Sequence, residues 1–277
     1  MTKFKLALIQ LMVSSNKQNN LNRAAKLVKE AATKGANVIV LPECFNSPYG
    51  TGYFASYAEE LKGETASALS QMAKESNVYL IGGSFPEKQT GESTKYFNTC
   101  TIWNNIGELI GTHRKVHLFD INVPGKISFQ ESKVLSPGNE LTMVDTEYGK
   151  LGIGICYDIR FPEMAMIAAR KGCVAMIYPG AFNMTTGPLH WELLQRARAL
   201  DNQMFVAACS PARDVSADYH AWGHSTIVDP LGKVLATMED GEGIVESVID
   251  VEELKNARLN IPIYSQRRFD VYPDVSE

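Results

Sequence analysis

What most restricts this chain is its supply of short β-branched runs, more than one open sheet can hold, interleaved with helical patterns. Phe4 to Gln10 reads as a strand, and Leu21 to Ala32 as an amphipathic helix with Leu21, Ala24, Ala25, Val28 and Ala32 on one stripe. Gly35 stops that helix, and Asn37 to Leu41 resumes as a buried strand. A helix is expected across Ser56 to Lys74, then a strand at Val78 to Gly82. Phe97 to Lys115 reads as two strands joined at Asn104-Asn105-Ile106-Gly107, and Thr142 to Val144 pairs with Lys150 to Ile155 around Tyr148-Gly149. Val174 to Tyr178 leads to a helix over Leu189 to Leu200, where Leu189, Leu193, Leu194, Ala197 and Leu200 share a face. Strands near Met204 to Ala208, Ser225 to Val228, Val234 to Ala236 and Ile244 to Ile249 complete the set. Helices mixed with hairpins predict mixed rather than purely parallel sheets. The expectation is an α/β chain of two packed sheets with helices outside, one domain spanning 1–277, because no linker, repeat or low-complexity tract divides it.

Charge and cysteine usage narrow the class. A net charge of -4 without a basic run speaks against a nucleic-acid or anionic-membrane binder. No stretch approaches the roughly 20 apolar residues that span a bilayer, and the first residues lack the apolar core of a secretory signal. Cys44, Cys100, Cys156, Cys173 and Cys209 are an odd, scattered set with no CxxC pair, which suits a reducing compartment better than a disulfide framework or zinc cluster. The cytoplasm is the expected location, with mitochondrial import left open.

Cys156 ends the apolar run Gly152-Ile153-Gly154-Ile155, and a helix begins near Pro162. A thiol at such a strand-to-helix turn faces a helix N-terminus, which predicts a lowered pKa. The arrangement parallels the nucleophile elbow of serine hydrolases, although Asp158 stands where that motif needs glycine. The plain alternative is a small buried hydrophobe, the reading taken for the other four cysteines. Glu43 follows Val38-Ile39-Val40-Leu41-Pro42, which predicts a desolvated carboxyl with a raised pKa at the sheet's carboxyl edge. Lys115, in Thr112-His113-Arg114-Lys115-Val116-His117, can neutralise an oxyanion. His113 and His117 lack a third ligand nearby, so no metal is expected. Glu131 is either a second buried carboxylate or a surface residue. Arg160 is either a fork for a substrate carboxylate or a structural ion-pair partner.

Together these segments resemble the nitrilase superfamily of carbon–nitrogen hydrolases. Its three markers occur in order: Glu43 in Leu-Pro-Glu-Cys-Phe, Lys115 in His-Arg-Lys-Val-His-Leu-Phe-Asp, and Cys156 in Gly-Ile-Cys-Tyr-Asp-Ile-Arg-Phe-Pro-Glu. The similarity continues through Tyr178 to Asn183, Thr186 to Trp191, Arg196 to Gln203 and Gly223 to Ser225. The strings Asn46 to Gly50, Pro124 to Ile127 and Ser210 to Asp214 look like the omega-amidase branch.

The resemblance implies a four-layer α-β-β-α sandwich, a homodimer, no cofactor, and hydrolysis of the terminal amide of 2-oxoglutaramate and 2-oxosuccinamate. It maps the superfamily's second glutamate onto Glu131. The expected division of labour has Cys156 as nucleophile, Glu43 as proton carrier, and Lys115 with the main-chain N–H of Tyr157 holding the oxyanion. Glu131 then positions Lys115 or the amide, and Arg160, with Thr186 beside it, takes the substrate's far carboxylate. The alternatives are an amidase of the same superfamily acting on deaminated glutathione or a carbamoylated amine, a nitrile hydrolase, and a non-catalytic dimeric scaffold.

Overall fold

The computed structural model describes residues 3–272. Its strands are β1 (Lys3–Gln10), β2 (Val38–Val40), β3 (Tyr79–Ile81), β4 (Phe85–Gln89), β5 (Lys95–Trp103), β6 (Leu109–Arg114), β7 (Asp120–Val123), β8 (Ile127–Gln130), β9 (Thr142–Thr146), β10 (Gly149–Ile153), β11 (Cys173–Pro179), β12 (Phe205–Cys209), β13 (Thr226–Val228), β14 (Val234–Thr237) and β15 (Gly243–Asp250). The helices are α1 (Lys17–Thr33), α2 (Phe54–Tyr57), α3 (Glu64–Ser76), α4 (Pro162–Arg170), α5 (Gly187–Asn202), α6 (Val251–Asn260) and α7 (Ile263–Gln266).

The described residues form two large sheets. One runs β15-β1-β2-β3-β5-β4 with β6 on β5, and the other runs β14-β13-β12-β11-β10-β9. Strands β1, β2 and β3 pair in parallel, as do β10, β11 and β12, while the flanking strands run antiparallel. Both sheets are therefore mixed, as the alternation of hairpins and helices predicts.

The period of two in β1 explains the layering. Phe4, Leu6 and Leu8 face the second sheet, while Ala7 and Ile9 face the opposite way, into the core shared with α1 and α3. Helices α4 and α5 cover the second sheet through Ala165, Ala168, Trp191 and Ala199. The result is four layers, α-β-β-α, and each fully buried Leu, Ile, Val or Phe contributes roughly 1.5–3 kcal/mol to it. The Cys209 thiol ties the sheets where they approach, donating to the carbonyls of Ile9 at 3.2 Å and Val40 at 3.4 Å.

Two local expectations fail. The helix over Ser56 to Lys74 is broken, because residues 58–63 turn aside to meet β4. Glu59 N–H donates to Pro86 O, Lys88 N–H donates to Glu59 O, and the Glu59 carboxylate accepts from Thr65 N–H at 2.9 Å, at the start of α3. The leucine face of α5 is also not its core face. Leu189, Leu193 and Leu200 are 61%, 62% and 49% exposed, whereas Trp191, Gln195, Arg198, Ala199 and Asn202 are buried.

Candidate active site

The ends of both sheets supply the site. Glu43 leaves β2 of the first sheet, Lys115 leaves β6 of the same sheet, and Cys156 leaves β10 of the second. Glu131 opens a 3-10 turn, Glu131–Lys133, directly after the β7–β8 hairpin. All four side chains are buried, and Lys115 is 0% exposed. A lone ammonium at that depth would cost several kcal/mol, so it needs partners. Lys115 Nζ lies 2.9 Å from Glu43 Oε1, 3.1 Å from Glu131 Oε1 and 3.0 Å from Glu131 Oε2. Burial alone would lower the Lys115 pKa, but Glu131 and Glu43 outweigh it and hold the ammonium well above its usual range.

The two carboxylates are satisfied unequally. Glu131 accepts from Tyr49 Oη at 2.6 Å and from the Phe119 N–H at 2.7 Å, besides Lys115. Glu43 Oε1 accepts from Asn98 Nδ2 at 2.8 Å and from Lys115, while its Oε2 has no hydrogen-bond partner among the described residues. Burial raises the Glu43 pKa; Lys115 opposes this and Glu131 adds to it. That carboxyl is built to exchange a proton.

Cys156 has φ 48°, in the left-handed region that side chains avoid, at the head of a 3-10 turn, Cys156–Arg160. Such a conformation persists only where the surroundings enforce it. Gly154 lets the chain pass below the turn, since a Cβ there would lie 2.6 Å from the Tyr178 ring. Asp158, standing where the serine-hydrolase motif uses glycine, pins the turn with its side chain. It accepts from Ile155 N–H at 2.9 Å and from His117 N–H at 2.9 Å, with His117 Nδ1 at 2.8 Å and His113 Nε2 at 3.0 Å. Burial works against its charge, but the bonds from His113 and His117 win and hold the carboxyl far below its ordinary range. Arg198 of α5 secures the far end through the carbonyls of Ile159 at 2.9 Å and Arg160 at 3.0 Å.

The expected low thiol pKa is not what this turn produces. Burial pushes the Cys156 thiol well above its usual value, and the Glu43 charge pushes it further. Lys115 and the Ala181 N–H, 3.4 Å from Sγ, oppose this without prevailing. Among the described residues no hydrogen bond of ordinary geometry joins Glu43 to Cys156, yet each shifts the other's pKa, by charge and by a looser side-chain contact. A five-residue 3-10 turn and one ammonium already shared by two carboxylates are too weak to strip the proton unaided.

The carbon–nitrogen hydrolase family model matches residues 5–259. The chain belongs to the carbon–nitrogen hydrolase family. It is accordingly a hydrolase of carbon–nitrogen bonds. It is 60% identical to the omega-amidase NIT2-A of Xenopus laevis and 56% identical to the omega-amidase NIT2 of Homo sapiens, each over 98% of both chains. Among solved structures it resembles Saccharomyces cerevisiae Nit3, described as a member of branch 10 of the nitrilase superfamily. There the TM-score is 0.89 and the identity 47%, with 97% of both chains covered.

Of the remaining residues singled out in this carbon–nitrogen hydrolase, Tyr157 follows the nucleophile in the same 3-10 turn. Arg160 is half-buried, with its guanidinium 4.9 Å from the Phe182 ring centre and Nη1 3.2 Å from His190 Nδ1. It has no carboxylate partner among the described residues, so the structural ion pair offered as its alternative is absent there. Burial lowers its pKa, against the opposing charges of Cys156 and Tyr157. Thr186 precedes α5, and its hydroxyl is 3.3 Å from Asn183 Oδ1. His113 and His117 serve Asp158, and no group of metal-ligating side chains occurs among the described residues. Sequence reasoning missed Asn98, Tyr49 and the anchoring part played by Asp158. Asn98, a residue type that strands seldom carry, lying between Phe97 and Thr99 in β5, was the one readable signal.

Proposed function

We propose that this hydrolase is an omega-amidase, releasing ammonia from the terminal amide of 2-oxoglutaramate and 2-oxosuccinamate. The observation that carries the reading is the buried Lys115 held between Glu43 and Glu131 beside the Cys156 thiol. The relatives named omega-amidase at 56–60% identity support the substrate class.

Glu43 takes the thiol proton as the sulfur adds to the amide carbon. Lys115 and the Tyr157 N–H hold the oxyanion, a type of contact worth roughly 3 kcal/mol per donor. Glu43 then returns its proton as the C–N bond breaks and ammonia leaves, and later activates the water that hydrolyses the thioester. Glu131 orients Lys115. Arg160, with Thr186 beside it, receives the carboxylate at the other end of the substrate. Because the thiol resists ionisation, addition and deprotonation have to be coupled through Glu43.

The deciding experiment measures ammonia release from 2-oxoglutaramate, with deaminated glutathione and an N-carbamoyl amine as competitors. Cys156→Ala should abolish release and Cys156→Ser nearly so; unchanged turnover in the alanine variant would end the proposal. The single family match over residues 5–259 supports reading 1–277 as one domain. The exposed stripe Leu189, Leu193 and Leu200 supports a homodimer through α5, tested by sedimentation of Leu193→Asp, which should run as a monomer. Five free, buried cysteines and the absence of a helix long and apolar enough to cross a membrane among the described residues suit the cytoplasm.

A further inference from the structure

A cavity of about 340 Å³ reaches Glu43, and its chemistry is not that of an anion site. Its carboxylates run from Glu43, buried, through Asp214, half-buried, to Asp218, exposed. No lysine, arginine or histidine is among its lining residues, and neither are Cys156, Arg160 and Thr186. The anionic end of the proposed substrate and this cavity are therefore served by different side chains.

Two further features point to a ligand with positive charge and N–H donors. The rings of Tyr49, Tyr53 and Tyr219 form an aromatic wall, with Tyr49 and Tyr219 4.6 Å apart between centres and tilted by 50°. Aromatic faces attract small ammonium ions. The Ser47 hydroxyl, 1% exposed, lines the same cavity and has no hydrogen-bond partner among the described residues, and Glu43 Oε2 shares that condition. Buried polar atoms of this kind normally find a partner; the Glu43 carboxylate oxygen accepts and the Ser47 hydroxyl can accept or donate, so an N–H donor in the cavity satisfies both. Lys115, behind Glu43, does not repel a cation there, because two carboxylates already share its charge.

We propose that this cavity is an ammonium site: it takes the nitrogen product as it leaves Glu43 and passes it out along Asp214 and Asp218, while the acyl group stays on Cys156. The inference rests on the amidase reading for its physiological sense. No additional reactant is needed: the nitrogen leaves Glu43 as neutral ammonia, becomes ammonium by taking a proton from water in the cavity, and the hydroxide left behind is neutralised by the proton of the carboxylic acid formed when the thioester is hydrolysed. The anionic acid product, held toward Arg160, then leaves without competing for the same walls.

The binding test uses protein that cannot turn over. Cys156→Ala protein is titrated with methylammonium chloride and followed by nuclear magnetic resonance, with sodium chloride at equal ionic strength as control. Adding Asp214→Asn and Asp218→Asn should weaken methylammonium binding about tenfold, the scale expected for two nearby charges in partly screened surroundings. Ser47→Ala, which removes one acceptor and little volume, should weaken it a few-fold. In otherwise wild-type enzyme, the two aspartate substitutions should raise the inhibition constant for ammonium by the same factor and leave KM for the amide unchanged. No methylammonium binding, or equal binding with and without the aspartates, would overturn the proposal. So would a raised amide KM with unaltered ammonium inhibition, which would make the cavity the substrate's path. Because the titration needs no catalysis, a failed amide reading and a failed ammonium site give separate results.

Discussion

Glu43 and Glu131 grip the same ammonium from two regions built in different ways. Glu43 leaves a fully buried parallel strand and keeps one carboxylate oxygen without a partner among the described residues. Glu131 sits in a short turn after a hairpin, where a tyrosine hydroxyl, a main-chain N–H and the ammonium take up both its oxygens. Equal burial thus gives unequal freedom. A carboxylate saturated with donors is fixed in place and ion-paired, whereas one with an idle lone pair can accept and return a proton. Hydrogen-bond accounting, more than depth, separates the mover from the holder.

The strongest way to break this contrast is Glu43→Gln, which keeps the shape and removes the proton carrier. Ammonia release should fall by roughly 10²–10⁴-fold, the usual range for losing a general base. A buried carboxyl whose folded pKa lies above its unfolded value weakens folding at pH above that unfolded value. Glu43 has such a raised pKa, but its charge also supports the buried Lys115 ammonium, so the two effects oppose and the same variant should melt close to the parent at pH 8. A clear drop in its melting temperature would mean that Glu43 is structural as well.

Glu131→Gln should cost less, roughly 10–100-fold in kcat, since it loosens Lys115 without removing the proton route. The acid limb of the pH profile sharpens the point. Glu43 must be ionised to act, and its pKa is raised by burial, so activity should fail on acidification above the ordinary glutamate value of about 4.3. Glu131 adds to that rise through its charge, so its neutral replacement should move the limb to lower pH. An unmoved limb would divorce the two carboxylates electrostatically. Tyr49→Phe deletes one donor to Glu131 and should lower kcat by only a few-fold, on the scale of about 1 kcal/mol for a single hydrogen bond.

Most of the layer plan was legible because it is written in periodicity: β1 and α1 each carry an apolar stripe of the right spacing. Strand β4 was not, since Pro86 and Glu87 disguise it, and so the break in the helix at residues 58–63 that feeds it was missed as well. Glu43, Lys115 and Cys156 were readable as three separate punctuation marks after apolar runs. Glu131 is held by Phe119, which faces it across the β7–β8 hairpin, and by Tyr49, which comes from a distant turn, and no local pattern announces that second meeting. The thiol pKa was misjudged for a related reason. The sequence places sulfur at a turn, but only the packed structure reveals how completely that turn is dried and how little of the lysine's charge is left over.

Because the nucleophile hangs from one sheet and the base from the other, the spacing between the two β layers acts as a caliper on proton transfer. A methylene added deep between those layers, at Val40 or Ala207 for instance, could widen the gap between acid and sulfur without touching either. Drift in the interior can thus throttle or restore such an enzyme from a distance, while every residue in its reaction centre stays the same.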